Sequence, residues 1–408
     1  MPVQEKRLAD YRVIIGPAAH AELIALASKL RGKRVAHISA TPYGGGVSEL
    51  LQSVVPLQRD LGLDAHWFVL RGSPDFFEAT KTIHNGLQGA PVVLSDEMIA
   101  TFRHLNEANA ADFTDDYDYV VVHDPQPAPL VSLCERRGTW IWRCHIDLTN
   151  PNASLLGLLK PHLEAYDAAI FSATEYQPRD VALRRAYIVP PAIDPTSPKN
   201  RHVYDEEREA LLERFAFDPD RPILSQVGRF DPWKDPLGVI DAYRMVKEKI
   251  PDVQLLFVSS MALDDPEGWL WFERTARHAG EDEDIHFLTD IRGVHSLEVN
   301  VIQRETDVAL AKSLREGFGL VVSESLWKRV PVVGGNVGGI RLQIRDGRTG
   351  YLVSTVREAA DRATELLRAP DRRKAMGKAG REYVRRHYLI TRYVRDYLRI
   401  FLECPPGA

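Results

Sequence analysis

Cysteine is scarce: Cys134, Cys144 and Cys404 are the three in 408 residues, too few and too irregularly spaced for a disulfide framework or a zinc ribbon. They read as reduced thiols. No apolar run approaches the ~18 residues that a membrane-spanning helix needs. The opening MPVQEKRLADYR lacks the apolar stretch of a secretory signal, so a cytoplasmic chain without a membrane partner is expected. Basic charge is not in excess either. Lys and Arg number 52 against 57 Asp and Glu, a net charge of −5, which argues against nucleic acid as a partner. HExxH and paired-cysteine spacings are missing, so His123-Asp124 and Cys144-His145-Ile146-Asp147 read as polar lining at two successive strand ends, with no metal centre. Asp264-Asp265 likewise reads as a solvated loop.

What is present is the composition of an ordinary globular protein, 44% hydrophobic and 27% charged. Its length suits two or three domains at roughly 150 residues each. Short β-branched runs alternate with helical patterns, as in parallel α/β architecture. The runs in the first half are Val35–Ile38, Ala65–Leu70, Tyr119–Val122, Thr139–Cys144, Ala168–Phe171 and Tyr187–Val189. Four prolines between Pro190 and Pro198 then interrupt the pattern. It restarts with Ile223–Val227, Val253–Val258, Ile285–Leu288, Val308–Ala311, Val330–Val333 and Tyr351–Val353. From about Ala375 to Leu402 the pattern is almost continuously helical. Two Rossmann-like domains facing across a cleft are predicted.

Three motifs carry the chemistry. The run Gly44-Gly45-Gly46 follows the first strand and opens a helix whose apolar positions include Leu50, Leu51, Val54 and Val55. A helix start of this kind can receive an anion, and a tight turn serving the fold explains it equally well. It matches neither a Walker A loop nor a dinucleotide fingerprint. The second motif, Gly228-Arg-Phe-Asp-Pro-Trp-Lys234, follows the strand 223–227, where open α/β sheets bind ligands. Arg229 can fork onto phosphate oxygens and Lys234 can add a point charge. The third, Arg315-Glu-Gly-Phe-Gly-Leu-Val-Val-Ser-Glu324, places Glu316 in a glycine-bearing loop and Glu324 on the following helix. Its N–H groups suit a diphosphate, with carboxylates to grip hydroxyls on either side. For Gly334-Gly-Asn-Val-Gly-Gly339, close packing against a sugar and a tight turn are equally good readings.

Together these features resemble the retaining GT-B glycosyltransferases that use nucleotide-sugar donors, and the resemblance covers essentially the whole chain. More narrowly, SATPYGGGVSELL, KTIHNGLQG, VHDPQPAPL, WRCHIDL, GRFDPWKDP and DDPEGW resemble the trehalose glycosyltransferring synthases. The broad family often has Pro-Glu after its double glycine. Here Ile340-Arg-Leu-Gln343 follows, and no role is carried over from that glutamate.

The resemblance implies a domain of residues 1–195, completed by a C-terminal helix at about 384–408 crossing back to it, and a nucleotide-sugar domain of 196–383. It implies transfer of glucose with retention from UDP-, ADP- or GDP-glucose to free glucose, giving α,α-trehalose and NDP, reversibly. Arg229 and Lys234 would hold the diphosphate and Glu324 the ribose hydroxyls. Glu316 with Gly317, Phe318, Gly319 and Leu320 would hold the donor glucose. Gly45 and Gly46 would approach the diphosphate, and His145 the transferred sugar. His84, Asn85 and Asp147 are weaker candidates for the acceptor. No cofactor and no required divalent cation are implied, the nucleotide sugar being a substrate; a homodimer is the expected assembly. Two alternatives stand beside this reading. One is a trehalose phosphorylase using glucose 1-phosphate, and the other is a non-catalytic sugar- or nucleotide-binding protein.

Overall fold

Residues 1, 3–42, 45–114, 116–261 and 266–407 are described by the computed structural model. Asp264-Asp265 and Gly44 therefore lie outside the described residues. The chain divides into two compact units. Unit 1 comprises Met1–Ala192 and Ile390–Ala408, and unit 2 comprises Ile193–Leu389.

Unit 1 is built on a six-stranded parallel sheet: β1 (Arg34–Ser39), β2 (Asp64–Val69), β3 (Tyr119–His123), β4 (Thr139–Arg143), β5 (Ala168–Phe171) and β6 (Ala186–Ile188), in the order β2-β1-β3-β4-β5-β6. Successive side chains of a strand point to opposite faces, so one strand feeds two cores. Val35, Tyr119, Val121, Ile141 and Ile170 join one core, covered by the helices Gly46–Asp60 and Ile390–Glu403. Ala36, Ile38, Val120, Val122, Trp140 and Trp142 join the other, under Pro74–Leu87 and Asp96–Ala111. Both faces of β1, β3, β4 and β5 are covered, which is why these strands read as apolar runs without alternation, whereas the edge strands β2 and β6 keep exposed positions.

Unit 2 repeats the plan with β7 (Ile223–Val227), β8 (Gln254–Ser259), β9 (Ile285–Thr289), β10 (Val308–Ala311), β11 (Val332–Gly335) and β12 (Gly350–Val353), in the order β12-β11-β10-β7-β8-β9. All pairings within both sheets are parallel. The proline-rich segment forms no helix, and Ile193 makes an isolated bridge to Leu389.

The tail is not one helix. It breaks between Pro370–His387 and Ile390–Glu403, where the Ile193 N–H donates to the Tyr388 carbonyl at 2.8 Å and the Tyr388 hydroxyl to Leu342 O at 2.5 Å. A carbonyl that would continue the helix is thus bonded elsewhere. Unit 1 resumes at Ile390.

Candidate active site

The sheet of unit 2 grows in two directions from β7: β8 and β9 lie on one side, β10 to β12 on the other. The loops leaving the carboxyl ends of β7 and β10 are therefore neighbours, at the switch point where such sheets take ligands. Lys234 sits in the first loop. Its N–H donates to Asp231 Oδ1 at 3.0 Å, and its carbonyl accepts from Gln226 Nε2 at 2.7 Å. Its ammonium is paired with the Glu316 carboxylate of the second loop, which also accepts from Ser313 Oγ at 3.3 Å.

A second ion pair joins the same loops, from the buried Lys312 to Asp235. Asp235 takes a left-handed conformation, φ +50°, and caps the helix Pro236–Lys247 by accepting from the Gly238 N–H at 3.2 Å. The Leu314 N–H donates to Trp233 O at 2.7 Å, and the Arg315 guanidinium lies 5.6 Å from the Trp233 ring centre. Arg229 stands exposed beside this frame. Burial pushes the Asp231 carboxyl above its ordinary range, against the pull of Lys234.

The Gly317–Leu320 stretch turns into the helix Leu320–Trp327 at Gly319, whose φ of +76° favours glycine. The glycine run after β11 packs on this stretch. A Cβ at Gly339 would stand 2.4 Å from Phe318 Cα and 2.6 Å from Gly317 O. The close approach is thus to the protein's own loop.

Gln343, which the sequence reading left without a role, holds that loop in place. It is fully buried, and its Nε2 donates to Phe318 O at 2.5 Å and to Gly319 O and Gly339 O at 3.2 Å. Its Oε1 accepts from Ser323 N at 3.0 Å and Ser323 Oγ at 2.6 Å. The available signal was an amide set among Ile340, Leu342 and Ile344.

Glu324 has different partners. Its buried carboxylate lies 3.7 Å from Lys199 Nζ and accepts from Gln303 Nε2 at 3.4 Å. Nearby, the ammonium of the buried Lys328 donates to Asn200 Oδ1 at 2.9 Å, and burial pulls its pKa down to about 7.

In unit 1, Gly45 precedes the helix Gly46–Asp60, its N–H meeting Ser48 Oγ at 3.3 Å while that hydroxyl donates back to Gly45 O at 2.8 Å. A Cβ on Gly45 would meet nothing within 4 Å among the described residues. His145 follows β4. Its N–H donates to Asp124 Oδ1 at 2.7 Å, and Asp124 holds φ +67° at the end of β3. Burial pushes the Asp124 carboxyl up to about 6. Burial, with the charge of Arg143, holds His145 well below the ordinary histidine range, so its imidazole is neutral.

The weaker acceptor candidates engage their own segments. His84 Nδ1 meets Gln88 Nε2 at 3.2 Å, Asn85 O takes part in the turn after Leu87, and Asp147 Oδ1 accepts from Thr149 N at 2.8 Å. Among the described residues no cluster of His, Cys, Asp and Glu suits a metal ion, and no helix is long and apolar enough to cross a membrane.

Two parallel-sheet Rossmann-like units of six strands each are the fold of the GT-B glycosyltransferases. Sucrose-phosphate synthase from Thermosynechococcus elongatus has this fold, with a TM-score of 0.73 at 18% identity over 91% of this chain and 98% of its own. Residues 37–178 match the family "Trehalose synthase, N-terminal domain", and residues 207–383 match "Glycosyl transferases group 1". The trehalose synthase of Thermococcus litoralis is 50% identical over 96% of both chains. The trehalose phosphorylase of Pleurotus sajor-caju is 28% identical over 85% of this chain and 54% of its own. The chain belongs to the trehalose synthase family.

Proposed function

We propose that this protein transfers glucose from an NDP-glucose to the anomeric hydroxyl of free glucose, with retention, giving α,α-trehalose and NDP. The observation that carries this reading is the pairing of Lys234 with Glu316 at the β7–β10 switch point, with Glu324 buried on the helix that follows. The hard step is departure of a charged diphosphate. Lys234 and Arg229 meet that charge as it develops, a stabilisation larger in the transition state than in the bound substrate. Glu316 and the Gly317–Leu320 backbone hold the donor glucose, and Glu324 bridges the ribose hydroxyls. His145 is assigned to the transferred sugar. The leaving phosphate assists attack on the face it departs from, with no protein nucleophile assigned.

Identity over nearly the full length of a trehalose synthase, against a partial match to a phosphorylase, supports the nucleotide-sugar donor. The test is incubation with glucose and UDP-, ADP- or GDP-glucose. A non-reducing disaccharide is expected with at least one donor. Its formation from glucose 1-phosphate alone would overturn the reading.

A further inference from the structure

Unit 1 contains a buried chain of imidazoles beneath His145. His145 Nε2 lies 3.0 Å from His123 Nδ1, His123 Nε2 lies 3.1 Å from His37 Nδ1, and His37 Nε2 lies 2.9 Å from Gln58 Oε1. The register explains the line. His37 of β1 stands opposite Val121 of β3, and His123 lies two residues beyond it on the same face. His123 stands opposite Arg143 of β4, and His145 lies two residues beyond that. Each step moves one strand across the sheet and two residues toward the strand ends.

The helix Gly46–Asp60 closes the inner end with Gln58, and the helix Ile390–Glu403 packs over it with Tyr397, whose ring centre is 6.2 Å from that of His37. His37, His123 and Gln58 are all buried. The charged and titratable groups around the chain are Arg143, Asp124, Cys144, Tyr393 and Tyr397. Arg143 is fully buried, with Nη2 donating to Ser172 Oγ at 3.3 Å, and its fixed charge opposes protonation of His123 and His145.

Three neutral imidazoles carry three ring protons, and the chain has three links to fill. A carbonyl oxygen can only accept, so the Gln58 amide oxygen requires the His37 proton on Nε2. His37 Nδ1 is then an acceptor and needs the His123 proton on Nε2. By the same step His145 must carry its proton on Nε2. His145 Nδ1 is left bare, and among the described residues it has no hydrogen bond. We infer that Gln58, His37 and His123 are positioning residues that fix the tautomer of His145, presenting Nδ1 as an acceptor for a sugar hydroxyl. This deepens the assignment of His145 to the transferred sugar and rests on it.

The test is ring nitrogen NMR on the full-length protein labelled with 15N-histidine, with signals assigned by single His→Gln variants. A neutral His145 protonated on Nε2 is expected. Protonation on Nδ1, or on both nitrogens near neutral pH, would overturn the inference. Gln58→Leu removes the terminal acceptor, so a mixed His145 tautomer is expected. Turnover should fall about two- to tenfold, the size of one neutral hydrogen bond, with NDP affinity unchanged. Gln58→Glu keeps an acceptor and should preserve the Nε2–H signature. An unchanged tautomer in Gln58→Leu would contradict the mechanism, and if that variant does not fold, loss of the signature in Gln58→Glu would do the same. His145→Ala separates the two claims: unchanged turnover removes the sugar role, whereas the NMR result judges the tautomer alone.

Discussion

The ammonium of Lys234 is paired with the carboxylate of Glu316 although 82 residues separate them, because β7 and β10 are neighbours in the sheet. The pair holds a cation at the switch point in a fixed place before any anion arrives. A preorganised charge of this kind favours a leaving diphosphate more than the intact donor. Lys234→Ala should therefore lower kcat by roughly 100- to 1000-fold while leaving ground-state donor binding much less affected. Steady-state kinetics on the folded variant checks this, and near-normal turnover would remove Lys234 from the mechanism.

His145→Ala should lower turnover without weakening NDP binding, because His145 is assigned to the transferred sugar, whereas Arg229, Lys234 and Glu324, assigned to the nucleotide, belong to unit 2. Calorimetry with NDP is the check. Loss of NDP affinity would move His145 to the nucleotide side.

Gln343→Leu should be costly. Phe318 O, Gly319 O and the Ser323 N–H all lose a buried partner. Gly319 O keeps the Val322 N–H at 3.0 Å, so two groups are left unsatisfied. At about 1–3 kcal/mol each, a total of about 2 kcal/mol or more is expected, with a lower kcat as the 317–319 turn loosens. Urea unfolding and kinetics together test it. A variant as stable and active as the parent would show that the turn holds itself.

The histidine chain predicts acid lability. Burial holds His37 at about 4 and keeps His123 and His145 well below their ordinary value of 6.5. Each is neutral in the native state and takes up a proton on unfolding below that ordinary value. Their contribution to stability is fully present above it and is lost as pH falls. Asp124 has the opposite sign. Raised to about 6, it holds a proton in the native state that the unfolded chain releases. Near pH 5 the three uptakes less one release give about two protons, or about 2.7 kcal/mol of stability lost per pH unit. Denaturant unfolding between pH 6.5 and 5 measures the slope. A flat profile would refute the buried neutral chain.

Much of this was legible in the sequence. All twelve strands fall at apolar runs, most plainly the inner ones, since parallel strands covered on both faces need continuous apolar side chains. Glu316 and Lys234 were marked by their places after two such runs. The break at Tyr388 was hidden, because the bond that replaces the helical one comes from distant Ile193. Gln343 and the chain from His145 to Gln58 were hidden for the same reason: the partners meet only through sheet order and register.

Glu324 gives the most direct test of the claim that unit 2 holds a nucleoside diphosphate sugar. A carboxylate bridging two ribose hydroxyls makes charge-assisted hydrogen bonds worth about 1.5–3 kcal/mol each. The ribose is remote from the reacting carbon, so this contact is nearly uniform between ground and transition states. The measurement is calorimetric binding of NDP and of glucose 1-phosphate to the wild-type protein and to Glu324→Ala. The account predicts that NDP affinity falls about tenfold or more, with a parallel rise in donor KM, while glucose 1-phosphate binding hardly changes. Unchanged NDP affinity in the folded variant would contradict the ribose role and favour a phosphorylase.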